Sequence, residues 1–381
     1  MLFIAVIAFA IMVHEFGHFI TAKAFGMRVT EFFVGFGPRI WSTRRGETEY
    51  GVKGIPAGGY VKITGMTPYE EVDPAHDGAL FYQQAPWKRF IVLVAGSATH
   101  FVLAVLLLLG AFWFIGDPVA TNVIAAVSED SPAAAAELAA GDRIVAVDGT
   151  STGSFDEVSA LVREAPGEDV VLTVERGGET LEVPATLASA HPDDGEEIGF
   201  LGVAPEAENR GLGFTGAVDE TFTGNRSIWR VTGQTVSGLT QVFSPTGLAD
   251  FFASVDDDGP RDENSITSLV GAAQITNELG QQGELLVVFG VLAQLNIVLG
   301  LLNMLPLPPL DGGHVAIMLV EETVNGVRRL RAPKDAPRRP RFHLNPNVVT
   351  PIALLVLAFF IVLSGTALYL DITSPASEII Q

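Results

Sequence analysis

Apolar positions along this chain come mainly in long unbroken blocks. Residues 90–116, 285–310 and 348–370 contain no Lys, Arg, Asp or Glu. A helix crossing a bilayer needs about 20 mainly apolar residues, so each block predicts a spanning helix. A fourth block opens the chain with "MLFIAVIAFAIMV" and reaches Phe25 only if His14, Glu15 and His18 are accommodated inside it. A cleaved signal peptide is the plain alternative. It fits poorly, because the segment has neither a basic start nor a small-residue cleavage site.

Between the second and third blocks the period shortens. "RIVAVDG" (143–149) alternates like a strand, and "DVVLTVERGGETLEV" (169–183) like a hairpin turning at Gly177-Gly178. "SPAAAAEL" (131–138) and "SFDEVSALVREA" (154–165) predict helices with Ser caps. Residues 118–205 thus read as a small soluble α+β domain. Residues 215–243 predict an amphipathic helix leading back to the membrane, within a linker region 206–284, and 255–265 an acidic solvated loop. Before the second span, "GETEYGVKGIPAGGYVKI" (46–63) predicts a β-hairpin lying against the membrane. For Gly58-Gly59 an ordinary turn is the plain alternative.

Composition sharpens this picture. Hydrophobic residues make up 48% of the 381, and mean hydropathy is +0.35, as in a polytopic membrane protein. There are no cysteines, which excludes disulfides, iron–sulfur clusters and cysteine-bound zinc. The net charge of −21 is uneven: residues 117–284 hold 30 of the 44 acidic residues and seven basic ones. That acidic middle argues against a nucleic-acid partner. Residues 26–89 carry eight basic residues and 312–347 seven. Positive charge near spans marks the cytoplasmic side. The expected topology therefore places loops 26–89 and 312–347 inside, with 117–284 and both termini outside.

Chemistry enters with "VHEFGHF" (13–19). H-E-x-x-H on a helix sets two imidazoles one turn apart for one zinc ion, and the Glu between them can serve as general base. Polar helix residues are usually just solvated. Inside a lipid segment ionisable groups are costly unless paired or functional, so His14, Glu15 and His18 call for a shared partner, which a metal supplies. Catalytic zinc needs a third protein ligand. His100, His314, Glu321, Glu322 and Asp311 are candidates, and Asp311 stands out by its context, "LNMLPLPPLDGGH" (302–314). Pro306, Pro308 and Pro309 break the helix, and Gly312 and Gly313 permit a tight turn. Broken backbone at membrane depth is tolerated where it is buried in protein or lines a wet cavity.

HEFGH near the start and N-x-x-P-x-P-x-L-D-G from Asn303 to Gly312 resemble the site-2 protease family of intramembrane zinc metalloproteases. "EFFVGFGPRIW" (31–41), "GETEYGVKGIPAGGYVKITGM" (46–66) and a PDZ-like order of elements over 118–205 are similar to its bacterial RseP-like branch, here with a single PDZ domain. The resemblance implies Zn2+ held by His14, His18 and Asp311, with Glu15 as base and Asn303 at substrate backbone or oxyanion. It also implies that 46–63 forms a re-entrant sheet. An open edge there, at Gly58, Gly59, Tyr60 and Val61, could take unwound substrate as an added strand. Pro306 and Pro308 would line the same cleft. The implied partners are single-pass transmembrane substrates such as anti-sigma factors or remnant signal peptides, the lipid bilayer, and a peptide or substrate ectodomain at the PDZ domain. "GFLGV" (199–203) would be that domain's carboxylate loop. One departure stands in the second span: "AGSATHF" places His100 where many relatives have an Asn, and a polar packing role is the simplest reading.

The expected whole is an α-helical polytopic protein of the cytoplasmic (inner) membrane. It has four transmembrane helices, a membrane-associated β-hairpin and an inserted extracytoplasmic α+β domain. Residues 1–116 and 285–381 would form the membrane parts, with the active site near the cytoplasmic face. Two other readings make different demands. A membrane-anchored zincin would use Glu321 or Glu322 as third ligand. A non-catalytic PDZ adaptor would need no zinc.

Overall fold

The structure, a computed structural model, describes residues 2–72, 78–189, 198–255, 268–281, 284–332 and 340–373. Helix α1 (Leu2–Ala24) leads into strands β1 (Val29–Arg45) and β2 (Thr48–Ile63), and then α2 (Pro86–Phe114). Next come β3 (Asp117–Val127), α3 (Pro132–Ala135), β4 (Arg143–Val147), β5 (Thr150–Ser151) and α4 (Phe155–Arg163). They are followed by β6 (Asp169–Arg176), β7 (Glu179–Thr186) and β8 (Val203–Arg210). The chain continues through α5 (Gly213–Phe222), α6 (Ile228–Val242), α7 (Pro245–Ala253) and α8 (Leu269–Gln281). It closes with α9 (Leu285–Asn303), α10 (Asp311–Leu330) and α11 (Pro346–Thr373). Two compact units result: Met1–Ala111 with Gly216–Gln381, and Phe112–Thr215.

Four helices among the described residues are long and apolar enough to cross a membrane: Ala5–Ala24, Pro86–Phe114, Leu285–Asn303 and Pro346–Thr373. The third stops seven residues short of the expected 310, and residues 304–310 form a non-helical link to α10. The physical cause is the run Pro306, Pro308, Pro309, since proline lacks the N–H a helix needs.

The β-hairpin differs from the sequence expectation. Residues 48–63 are one strand, β2, and its partner is 29–45; the turn lies at Gly46, with φ +63°, rather than at Gly58-Gly59. The first half of β1 lies between two parts of β2. Phe32, Phe33 and Val34 pair with Val61, Tyr60 and Gly59 on one side, and with Tyr50, Gly51 and Val52 on the other. The second half of β1 flanks the far side, with Trp41, Ser42 and Thr43 against Val52, Gly51 and Tyr50. Among the described residues, 59–62 therefore have a strand partner on one side only, which leaves an edge with free backbone groups.

The predicted helix over 215–243 is two helices, α5 and α6, broken across 223–227. Gly224 weakens a helix entropically, and the backbone N–H of Arg226 turns to the Glu220 carboxylate at 3.1 Å instead of continuing the ladder. Residues 256–265 of the predicted acidic loop lie outside the described residues.

The second unit is a sheet in the order β7-β6-β4-β3-β8, with β5 on β4. Its core gathers Ile124, Ile144, Val158, Val170, Leu172 and Val174 from strands and α4. Both expected caps are present: Ser131 Oγ accepts from Ala134 N at 3.2 Å and Ser154 Oγ from Glu157 N at 3.4 Å. The β6–β7 hairpin turns at Gly177 and Gly178, whose φ values of +61° and +91° suit a type I′ turn. Strands β3 and β8 were not foreseen. They pair from Asp117↔Arg210 to Val127↔Val203, so this sheet continues past residue 205.

Candidate metal centre

On α1, His14 and His18 sit one helical turn apart and so share a face. Both are buried, and their Nε2 atoms lie 3.2 Å apart. Asp311, the first residue of α10, places Oδ2 3.2 Å from each of those nitrogens. Among the described residues these three side chains form the group able to hold a metal ion. The triangle fits zinc: bonds of about 2.0–2.1 Å in a tetrahedron imply ligand atoms about 3.3 Å apart. The chemistry of the set fits as well. Three lone-pair atoms converging in a buried site repel one another unless a cation or protons lie between them.

The loop before α10 explains how Asp311 arrives. A Cβ on Gly312 would stand 2.2 Å from the Met304 carbonyl oxygen, and one on Gly313 2.3 Å from Pro308 N. Only glycine lets the helix start fold onto the 304–308 backbone. Burial works against ionisation of Asp311, but the His14 and His18 imidazoles 3.2 Å from its Oδ2 favour the carboxylate and hold it below the usual carboxylate range.

Helix α2 forms the back wall. His18 Nδ1 donates to the Val92 carbonyl at 2.7 Å, which orients Nε2 toward Asp311. The helices cross closely through two glycines. A Cβ on Gly17 would lie 2.7 Å from the Ala95 carbonyl oxygen, and one on Gly96 2.2 Å from His18 Nε2 and 2.7 Å from His14 Cε1. Gly96 was missed by sequence reasoning; the small-residue run "AGS", typical of close helix contacts in membranes, was its only signal. Gly96→Ala, a mild change elsewhere in a helix, is expected to strip zinc from the purified protein, because the added methyl occupies the ligand's position. Metal analysis checks this, and a fully zinc-loaded variant would contradict the geometry.

Glu15 points to the free strand edge. A Cβ on Gly59 would fall 2.9 Å from Met12 Sδ and 3.4 Å from Glu15 Cγ. Gly58, with φ +127°, runs beside Phe36 and Ile11. The Tyr60 side chain is committed within the sheet: its hydroxyl accepts from Lys53 at 2.6 Å and donates to Glu31, and its ring stacks on Phe33. Tyr60 therefore has only backbone to offer along the edge.

The remaining candidates fall elsewhere. Glu321 and Glu322 pair with Arg89 at 3.4 and 3.3 Å, and Glu321 also holds His343 at 3.2 Å. Neither joins the histidine pair, so the Glu-ligand zincin loses its donor. His314, its pKa lowered by burial, stands outside the triad. Asn303 is the last residue of α9; Pro306 is exposed and Pro308 buried in the link to α10. His100 packs near His14 and bonds to Asn296 rather than to the triad.

The chain matches known proteins along nearly its whole length. The sequence model of peptidase family M50 matches residues 2–334. The chain is 33% identical to the zinc metalloprotease Rip1 of Mycobacterium bovis, over 98% of this chain and 97% of that protein. It is 32% identical to the Rip1 of Mycolicibacterium smegmatis, over 99% and 97%. Among solved structures, the PDZ domain of an SdrC-like protein from Listeria innocua is similar at 26% identity and a TM-score of 0.21, covering 24% of this chain and 98% of that one.

Proposed function

Because the chain belongs to peptidase family M50 and is a site-2-type zinc metalloprotease of the membrane, we propose that it cuts transmembrane segments of single-pass proteins in regulated intramembrane proteolysis. Substrates of this kind include anti-sigma factors already trimmed outside and remnant signal peptides. His14, His18 and Asp311 hold the zinc. Glu15 is the general base, and the 58–61 edge of β2 with Asn303, Pro306 and Pro308 receives the substrate. The observation that carries the reading is the triangle of 3.2 Å between three ligand atoms with Glu15 next to it.

A zinc ion held by His14, His18 and Asp311 would supply polarisation of the scissile carbonyl and a more nucleophilic water. Glu15 takes the proton from the attacking water and returns it to the departing amide nitrogen. A transmembrane helix hides its carbonyls in its own hydrogen bonds, so it must unwind first. The free edge beside Glu15 offers those groups new partners by strand addition. Asn303, at the end of α9, would steady the substrate backbone or the developing oxyanion.

The charge asymmetry puts the catalytic side in the cytoplasm of the inner membrane and the 112–215 unit outside. That unit is read as a PDZ domain from its two capped helices, its sheet and the 199–203 loop. A groove there is lined by Val158, Val162, Phe200 and Leu201. The domain works as a size filter against bulky ectodomains. Since β8 runs to Arg210, a clean excision removes 117–210 rather than 118–205. The shortened enzyme is expected to cut untrimmed substrates that the intact one refuses, and still to cut trimmed ones. Loss of trimmed-substrate cleavage in a folded, zinc-bound deletion would mean instead that the domain recruits substrate.

The direct test co-expresses wild type or Glu15→Gln with a tagged set of single-pass proteins. Fragments present only with wild type identify substrates. If none of the set yields such a fragment from a zinc-loaded enzyme, the proposed substrate class is wrong.

A further inference from the structure

The two histidines of the metal centre differ in one respect. His18 hands its Nδ1 proton to the Val92 carbonyl, whereas His14 Nδ1 is buried without a hydrogen-bond partner among the described residues. An imidazole that binds a metal through Nε2 keeps its proton on Nδ1 and almost always donates it to an acceptor. An unpaired buried donor is costly, so an acceptor for His14 is to be expected close by.

The ring beside it is His100 of α2, with centroids 5.1 Å apart and planes inclined by 40°. A hydrogen bond between two imidazole nitrogens places ring centres about 5 Å apart, so the spacing allows one. His100 is 2% exposed, and its Nδ1 lies 3.1 Å from Oδ1 of Asn296, which is 1% exposed. The Asn296 amide is oriented by its own Nδ2, which donates to the Leu292 carbonyl at 2.9 Å. A carbonyl can only accept, so the amide oxygen faces His100. An amide oxygen also only accepts, so His100 Nδ1 carries the proton. Neutral imidazole holds one proton, and His100 Nε2 therefore presents a lone pair.

We propose that His100 is a positioning residue of the metal centre: its Nε2 accepts the Nδ1 proton of His14 in the zinc-bound enzyme, through a relay running Leu292, Asn296, His100, His14. The relay rests on His14 being a zinc ligand. It links α9 to the ligand on α1 through α2, keeps His14 in the tautomer that binds zinc and fixes the ring plane. It also explains why a histidine and an asparagine 196 residues apart are buried together in apolar helices.

The test measures zinc affinity of the purified full-length protein by competition with a chelator, alongside the melting temperature of the metal-free form. His100→Leu should bind zinc about 10–100-fold more weakly, the usual cost of losing a partner behind a ligand. His100→Gln, whose amide oxygen can stand near the Nε2 position, should recover most of the loss. A packing role would shift the metal-free melting temperature and leave zinc affinity alone. A folded His100→Leu with wild-type affinity overturns the relay. Should that variant not fold, Asn296→Leu decides. It keeps His100 but frees its proton, so zinc binding should weaken, and unchanged binding overturns the relay. His14→Ala separates the two layers: retained zinc there would remove the ligand reading itself, whereas lost zinc there with unaffected His100→Leu removes the relay alone.

Discussion

Glu15→Gln is expected to keep its zinc and lose proteolysis by about 10²–10⁴-fold, the usual contribution of a positioned general base. Glutamine has the shape of glutamate and can lie against Gly59 of the strand edge in the same way. It cannot take a proton from water and return it to the leaving nitrogen. The three candidate ligands are untouched, because Glu15 lies outside the triad. Purified variant and wild type should therefore show equal metal content, while fragment release from a trimmed single-pass substrate disappears. Wild-type cleavage by the zinc-loaded variant would remove Glu15 from the chemistry.

Asp311→Ala should fail earlier, at metal binding. Its Oδ2 is 3.2 Å from both imidazole nitrogens, and without it the pair on α1 is left with two donors. The loss of zinc affinity should exceed the about 10–100-fold typical of outer-shell partners, because a ligand is removed outright. Activity falls with it. Glu321→Gln is the matched control. That carboxylate faces Arg89 and His343, so zinc content should hold even if the fold weakens. The reverse pattern, zinc kept in Asp311→Ala and lost in Glu321→Gln, would assign the third ligand to glutamate.

Much of this was legible from local pattern. Each predicted span falls on a helix because a charge-free run of that length has few alternatives to a buried or lipid-facing helix. The i, i+4 spacing of His14 and His18 gives their shared face wherever the helix sits. Prolines and glycines around Asp311 dictate a broken helix and a tight restart. Ser131, Ser154 and Gly177-Gly178 act within three or four residues of themselves, so their caps and turn could be read directly. The misses have a common source. The 46–63 segment by itself predicts a hairpin, because its partner strand, 29–45, shows no clean alternation. Strand β8, "VAPEAENR", is mostly exposed and is held by pairing with β3 rather than by an apolar face.

The sequence by itself determined the chemistry available and the elements that carry it: two imidazoles and a carboxylate on one helix, a second carboxylate at a helix start, and spans to hold them. Tertiary structure alone decided which groups meet. Val92 at His18 is 74 residues away, Asn296 at His100 is 196 away, and Glu321 at Arg89 is 232 away. Hydrophobic period and capping signals act over a turn or two. Contacts across such separations depend on how helices pack, and here the packing hinges on absent side-chain atoms at Gly17 and Gly96 that bring α2 against α1. A missing methyl leaves almost no trace in a pattern of polar and apolar residues, yet it sets the distance at which three ligand atoms can share one ion.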